Sequence, residues 1–137
     1  MNYFLDTNAV IALINNQPGF RRRLRRVAGR GNSIAVSSVV LCELWYGVAR
    51  SQRRAQNAQR LHIFLSGAIS VVPFSDEDAK VAGELRADLE SAGKAIGAYD
   101  LLIAAQALRN RATLVTANVS EFRQVSGLIV RNWATEV

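Results

Sequence analysis

The sequence predicts an α/β fold: one domain over residues 1–137, with a mostly parallel central sheet of about five short strands flanked by helices. A chain of 137 residues, half of them hydrophobic and only 20% charged, is typical of a single folded domain with its own core. Short apolar runs alternate with segments of helical periodicity, which favours parallel strands joined by helical crossovers. No linker, repeat or low-complexity tract interrupts this alternation.

The first half of the chain predicts two strands and four helices. Short apolar runs mark the strands, and apolar residues three or four positions apart mark the helices. Pro18-Gly19 helps to end the first helix, and Ser37 or Ser38 can cap the third. In order, the elements are a strand at 3–5, a helix at 9–14, a helix over 20–27, a strand at 34–36, a helix running toward Arg50 and a helix over 53–65.

The second half predicts three strands and two helices. Ser75 and Asp78 form a capping-box-like Ser-x-x-Asp at the start of an acidic helix, and residues 93–97 form a loop. The other elements are a strand at 69–73, an apolar helix at 99–110, a strand at 113–116 and a short strand at 129–130. Ligands of such sheets bind beyond the carboxyl ends of the strands, where Asp6 and Thr116 are placed.

Charge is distributed unevenly along the chain. Seventeen basic and 11 acidic side chains give a net charge of +6, yet the segment 76–90 carries −4 and the remainder +10. The acidic segment is interpreted as a solvated helix face, and the basic remainder favours a polyanionic partner, nucleic acid first. Arginine binds phosphate in a bidentate manner. The arginines expected to contact such a backbone are Arg21, Arg22, Arg23, Arg25, Arg26, Arg50, Arg53 and Arg54.

The cysteine and histidine counts exclude several kinds of site. A single cysteine, Cys42, cannot form an internal disulfide or a cysteine-based zinc site, and we interpret it as a small buried hydrophobe. A single histidine, His62, excludes a two-histidine metal motif. Trp45 and Tyr46 are expected to serve packing or a dimer contact. Without a signal-like start or a membrane-length apolar run, we expect a cytoplasmic protein with no membrane contact.

Three acidic residues occupy positions where charge is costly. Asp6 ends the first strand, Glu43 interrupts an apolar helical run, and Asp100 opens another apolar helix. If they converge, a hard divalent cation such as Mg²⁺ or Mn²⁺ relieves their repulsion and can activate water against a phosphate. Taken singly, Asp6 and Asp100 could instead cap helices, and Glu43 could face solvent or pair with an arginine.

Four motifs and a C-terminal ending together resemble a known family. The motifs are Phe4-Leu5-Asp6-Thr7-Asn8, then Ser37-Ser38-Val39 with Cys42-Glu43-Leu44 and Tyr46-Gly47, then Ile96-Gly97-Ala98-Tyr99-Asp100, then Leu114-Val115-Thr116-Ala117-Asn118 with Glu121-Phe122, and the ending is Gly127-Leu128 with Arg131-Asn132-Trp133. This set resembles the PIN-domain ribonucleases and, more narrowly, the VapC toxins of toxin–antitoxin pairs. The resemblance spans nearly the whole chain.

The resemblance implies a catalytic site and its partners. Asp6, Glu43 and Asp100 match the acidic residues that gather around Mg²⁺ or Mn²⁺ in the family, and Thr7 and Thr116 match supporting hydroxyl positions. Many members have a fourth acid where this chain has Asn118, so either Glu121 supplies that carboxylate or Asn118 is a neutral ligand or turn residue. The family also implies a homodimer, a VapB-like antitoxin that fills the active-site groove, and structured RNA, including tRNA, as substrate.

Three hypotheses therefore stand. The first is a Mg²⁺- or Mn²⁺-dependent endoribonuclease toxin that hydrolyses RNA phosphodiester bonds. The second is a catalytically weak PIN-fold nucleic-acid-binding module that acts mainly in a DNA-binding toxin–antitoxin complex, which Asn118 favours. The third is a haloacid-dehalogenase-like phosphatase with Asp6 as nucleophile, which Asn8 disfavours because that chemistry usually has a second aspartate two residues on.

Overall fold

The computed structural model describes residues 1–135, in which five strands alternate with seven helices. The strands are β1 (Asn2–Leu5), β2 (Ser33–Ser37), β3 (Ser70–Val72), β4 (Thr113–Val115) and β5 (Ile129–Arg131). The helices are α1 (Thr7–Ile14), α2 (Phe20–Gly29), α3 (Ser38–Arg50), α4 (Arg54–Leu65), α5 (Asp76–Ser91), α6 (Ala98–Arg109) and α7 (Val119–Phe122). Within residues 1–135, no helix combines the length and apolarity needed to span a bilayer.

The strands form one sheet in the order β3-β2-β1-β4-β5, and every neighbouring pair is parallel. The first strand of the chain lies at the centre, where Phe4 is in register with Ala35 of β2 on one side and Leu114 of β4 on the other. Strands are thus added first to one side of β1 and later to the other. The carboxyl end of β1 therefore lies at the switch point where open α/β sheets bind ligands.

Both faces of the central strands are covered. Phe4 and Leu5 in β1 are both buried, as are Leu114 and Val115 in β4. Because successive side chains of a strand point to opposite faces, burial of consecutive residues requires helices on both sides of the sheet. The predicted α/β fold with a parallel sheet of five short strands is confirmed.

Local capping explains where several helices begin. The Asp6 side chain accepts a hydrogen bond from the Ala9 amide and caps α1. Ser37, rather than Ser38, caps α3. At the start of α5, Ser75 and Asp78 form a full capping box, as predicted.

The structure corrects three expectations from the sequence. The acidic helix α5 is solvated over most of its length, but Asp78 is fully buried and accepts a hydrogen bond from Arg109 Nε at 2.5 Å. This contact forms because α5 packs along α6, which a one-dimensional pattern does not reveal. Cys42 is exposed rather than buried, because it lies on the outer face of α3. The short helix α7 was not expected.

Candidate active site

Asp6 and Thr116 meet at the carboxyl edge of the sheet. Asp6 directly follows β1 and Thr116 directly follows β4, the strand paired with β1. The Asp6 carboxylate accepts hydrogen bonds from the Thr116 hydroxyl and from the amide of Ala9, the latter at 2.8 Å. Burial raises the pKa of Asp6, and the nearby charge of Glu43 raises it further against the effect of these hydrogen bonds. The carboxylate is therefore held by two hydrogen bonds, and it forms no ion pair with any residue within 1–135.

Glu43 reaches the same place from α3. Its Oε1 accepts a hydrogen bond of 2.7 Å from the Thr7 hydroxyl, which follows Asp6 in the chain. Glu43 is half-buried, and it forms no ion pair with any residue in the described part of the chain. Neither alternative for this residue, free solvation or pairing with an arginine, describes its position.

Asp100 and Glu121 complete a group of four carboxyl groups. Asp100 lies in the first turn of α6, whose N-cap is Gly97. Burial is the largest cause that raises the pKa of Asp100 to about 7. The charge of Glu121 and a hydrogen bond with Glu121 contribute next, followed by the charges of Glu43 and Asp6. We call Asp6, Glu43, Asp100 and Glu121 the acid site.

Glu121 also connects three segments of the chain. Its Oε1 accepts a hydrogen bond of 2.7 Å from the Gly97 amide, and its Oε2 accepts one from the Asn118 side chain. The backbone amide of Asn118 donates a hydrogen bond of 3.0 Å to the Thr116 hydroxyl. Asn118 therefore precedes α7 as a turn residue that links Glu121 to Thr116 and, through it, to Asp6.

The donor set of the acid site suits a hard divalent cation. Burial, followed by the nearby carboxyl groups of Glu121, Glu43 and Asp6, raises the pKa of Asp100 to about 7, and none of the four groups forms an ion pair within residues 1–135. Oxygen ligands with unbalanced negative charge are what Mg²⁺ and Mn²⁺ prefer. The described side chains do not form a ready-made cage of three or more ligating groups. The fit rests on donor chemistry and charge.

The predicted arginines lie outside the acid site. Arg23 is half-buried, whereas the other seven are exposed: Arg21, Arg22, Arg25, Arg26, Arg50, Arg53 and Arg54. None of the eight forms an ion pair within the described residues. Most of α2 and the junction of α3 and α4, from Arg50 to Arg54, thus present to solvent positive charge without an ion-pair partner among the described residues.

The aromatic residues of α3 have separate surroundings. Trp45 is half-buried and its ring centroid lies 5.0 Å from that of His62 on α4. Tyr46 is 64% exposed, so it does not serve packing, and the guanidinium of Arg50 lies 5.5 Å from its ring centroid. Trp45 is thus a packing residue and Tyr46 remains available for an external contact.

Known proteins share this fold and much of this sequence. The model of the PIN domain matches residues 3–128. The chain belongs to the PIN-domain family. This PIN domain is 44% identical to ribonuclease VapC2 of Rickettsia felis over 97% of the chain and 98% of that relative. It is 34% identical to the tRNA(fMet)-specific endonuclease VapC of Shigella flexneri, over 98% and 99% of the two chains.

A solved structure extends the comparison to the three-dimensional level. VapBC2 of Rickettsia felis, solved bound to a DNA fragment from its promoter, superposes on this PIN domain with a TM-score of 0.91 and 42% identity. The match covers 97% of this chain and 99% of that one. The resemblance drawn from the four motifs is confirmed, and membership of the PIN family argues against the phosphatase hypothesis.

Proposed function

We propose that this PIN domain is the ribonuclease toxin of a toxin–antitoxin pair and hydrolyses RNA phosphodiester bonds with Mg²⁺ or Mn²⁺. The observation that carries the proposal is the acid site, four carboxyl groups gathered at the switch point of the sheet without a cationic partner among the described residues. The names of its VapC relatives support the choice of RNA over other phosphodiesters.

Asp6, Glu43 and Asp100 would hold the cation, which would supply activation of water and neutralisation of charge on the phosphate. The Ala9 amide and the Thr116 hydroxyl orient Asp6. The Thr7 hydroxyl binds Oε1 of Glu43 and leaves Oε2 to bind the cation or orient the attacking water. In-line attack at phosphorus leaves 5′-phosphate and 3′-hydroxyl ends.

Glu121 acts as a supporting residue. Both of its oxygens accept hydrogen bonds, from Gly97 and from Asn118, so the side chain fixes the start of α6 that carries Asp100. The exposed arginines of α2, together with Arg50, Arg53 and Arg54 at the junction of α3 and α4, would hold the RNA backbone. Because two VapC relatives are named tRNA(fMet)-specific endonucleases, we propose tRNA as the first substrate to test.

Cleavage of labelled tRNA with and without chelator tests the function. Wild type should cut in Mg²⁺ or Mn²⁺ and stop in chelator, and Asp6→Asn and Asp100→Asn should be inactive. Asp88→Asn, which removes an equal charge from the exposed face of α5, is the matched control and should cut like wild type. Equal cleavage by all four proteins, or cleavage that survives the chelator, would contradict the proposal.

A VapB-like antitoxin is the proposed regulatory partner, since VapC relatives were solved as VapBC complexes. A trough between α2 and α4 supports it, with a cavity of about 330 Å³ lined by Leu24, Phe64 and the guanidinium-bearing Arg21 and Arg25. This surface suits a tail that carries both apolar and acidic residues. We also propose a homodimer in the cytoplasm, and sedimentation analysis of the purified chain tests the dimer.

A second candidate is a catalytically weak module that works mainly in a DNA-binding complex with the antitoxin. The neutral Asn118 favours it, and two VapBC relatives were solved bound to DNA. Calorimetric titration with Mg²⁺ and Mn²⁺ separates the candidates. Uptake that Asp100→Asn abolishes supports the nuclease, and absence of uptake by wild type supports the binding module.

A further inference from the structure

We infer that a slot beside Glu43 receives one unpaired nucleobase next to the scissile phosphate, so that the enzyme selects RNA in part by the base it can seat there. The inference rests on the proposed ribonuclease function and goes beyond it, because it assigns a site of base selection. The slot lies between α1, α3 and α4 and has a volume of about 250 Å³. Its lining includes Ile11, Glu43, Leu44, Gly47, Asn57 and Arg60.

The position of the slot couples it to the reaction. Glu43 belongs both to the acid site and to the wall of the slot. A phosphate held at the acid site would therefore place its neighbouring nucleotide beside the slot. Parts of the surface far from Glu43 are not coupled to the position of the scissile phosphate in this way.

The lining of the slot combines apolar and polar groups. Ile11, Leu44 and Leu61 supply apolar contacts of the kind that a flat ring can use. Arg60 Nη2 donates to the Ile14 carbonyl at 3.1 Å and to Asn15 Oδ1 at 2.9 Å, which fixes the guanidinium in the lining of the slot. Asn57 donates its side-chain amide to Ser51 Oγ at 3.0 Å, which leaves its Oδ1 to accept.

This combination matches the chemistry of a base edge. A nucleobase has apolar faces and an edge that carries both donors and acceptors, and the slot offers apolar walls, a fixed guanidinium and a free amide oxygen. An aliphatic side chain of a protein partner would form no hydrogen bond with the Arg60 guanidinium or with Asn57 Oδ1. The volume also lies below the range of about 300–1,000 Å³ that is typical of small-molecule pockets.

Gly47 provides the means to test the slot. It lies inside α3, where glycine is a poor helix former, and a Cβ built on it meets no atom within 4 Å. Because Gly47 also lines the slot, a larger side chain at this position has room for its Cβ and would occupy part of the slot. Gly47→Leu fills the slot, and Gly47→Ala is the matched control that leaves most of it open.

The probe is a synthetic RNA hairpin that contains the wild-type cleavage site, identified by sequencing RNA ends. It is compared with the same hairpin carrying an abasic nucleotide at each position flanking the cut. Wild type should lose about tenfold or more in kcat/KM at one abasic position, a loss typical of one lost base contact. Gly47→Leu should lose a similar factor on the intact hairpin and lose little more on that abasic hairpin, because both changes remove the same contact.

Gly47→Ala should keep most of the wild-type preference. Multiplicative losses from Gly47→Leu and the abasic position would overturn the slot, as would loss of antitoxin neutralisation with unchanged RNA cleavage. If Gly47→Leu unfolds in a melting experiment, Ile11→Trp fills the slot from α1 and is judged by the same criteria. If sequencing of RNA ends finds no wild-type cleavage site, the nuclease function itself is contradicted, which separates the two failures.

Discussion

Two acidic regions of this PIN domain place the same kind of side chain in opposite electrostatic surroundings. At the Asp78–Arg109 pair, Arg109 and the capping interactions with Ser75 overcome the effect of burial and hold the pKa of Asp78 below its usual range. At the acid site, burial and neighbouring carboxylates raise the pKa values of Asp6 and Asp100. One region balances its charge within the described chain, and the other does not.

Under the proposed function, the difference separates a structural use of charge at Asp78 from a functional use of charge at the acid site. Asp78 joins α5 to α6, and the nearby Gln106 side chain, also buried, donates to the Val72 and Pro73 carbonyls at 3.1 Å each. These interactions stabilise the packing of α5 on α6 and balance the charge of Asp78. The acid site keeps negative charge available, which favours binding of a cation at some expense in stability.

The sharpest test of the comparison is Asp100→Asn. We expect loss of at least about 10³-fold in RNA cleavage, because the residue is assigned to the cation and its charge. The melting temperature in chelator should stay equal or rise, because the substitution removes repulsion with Glu121. Differential scanning calorimetry and a cleavage assay on the same preparation check both results. A clear fall in melting temperature would show that Asp100 is structural, like Asp78.

Glu121 lies between the two extremes, since its charge belongs to the acid site but its oxygens are hydrogen-bonded. Glu121→Ala should lower kcat by about 10–100-fold, the range typical of groups that orient a ligand of a metal site. Glu121→Gln retains an acceptor for the Gly97 amide and should stay within about threefold of wild type. Equal loss in both variants would mean that the negative charge itself is required.

Asp78→Asn should show the reverse of Asp100→Asn. Loss of the charged hydrogen bond with Arg109 in a fully buried position should lower the melting temperature by about 5–10 °C. Cleavage per folded molecule should be nearly unchanged at a temperature well below the transition. Asp88→Asn, on the exposed face of the same helix, is the control for charge removal and should leave the melting temperature nearly unchanged.

The smallest expected effect is an opposite response of the two regions to pH in chelator. Because the pKa of Asp100 is about 7 in the folded chain and 3.8 is its ordinary value, the folded state binds the extra proton between these values. Stability should therefore rise by a few degrees in melting temperature as the pH falls from about 8 to 5. Solvent screens this half-exposed group, which keeps the effect small.

Below about pH 4 the sign reverses, because Asp78 has a lowered pKa and its stabilisation is lost as the folded carboxylate becomes protonated. Calorimetry across the pH range should give the highest melting temperature at about pH 5. Asp100→Asn should flatten the alkaline side of the curve and Asp78→Asn the acid side. If Asp100→Asn instead flattened the acid side of the curve, or Asp78→Asn the alkaline side, the comparison would be contradicted.

The sequence allowed the prediction of elements whose signals are local. Ser75 and Asp78 marked the start of α5 through a capping box, and the apolar run after Asp100 marked α6. The placement of Asp6 beyond β1 followed from the general geometry of parallel sheets. These inferences need only neighbouring residues and a general rule.

What the sequence could not indicate were contacts between distant segments. Asp78 and Arg109 lie 31 positions apart, and Gly97 and Glu121 lie 24 apart, so no periodicity connects either pair. The short helix α7 has only four residues, too few for a helical pattern. The position of Glu121 three residues after Asn118 allowed the prediction that Glu121 supplies a carboxylate. It did not indicate which hydrogen bonds Glu121 accepts.

The central position of β1 has a consequence for the synthesis of the protein. The acid site takes residues from positions 6, 43, 100 and 121 of a chain of 137, and β4, which pairs with β1 beside the site, begins at Thr113. A nascent chain that lacks its last fifth therefore has neither the β4 wall nor Glu121. The acid site is therefore complete only after nearly the whole protein has been synthesised, and under the proposed function this keeps an incomplete chain from cleaving RNA at the ribosome.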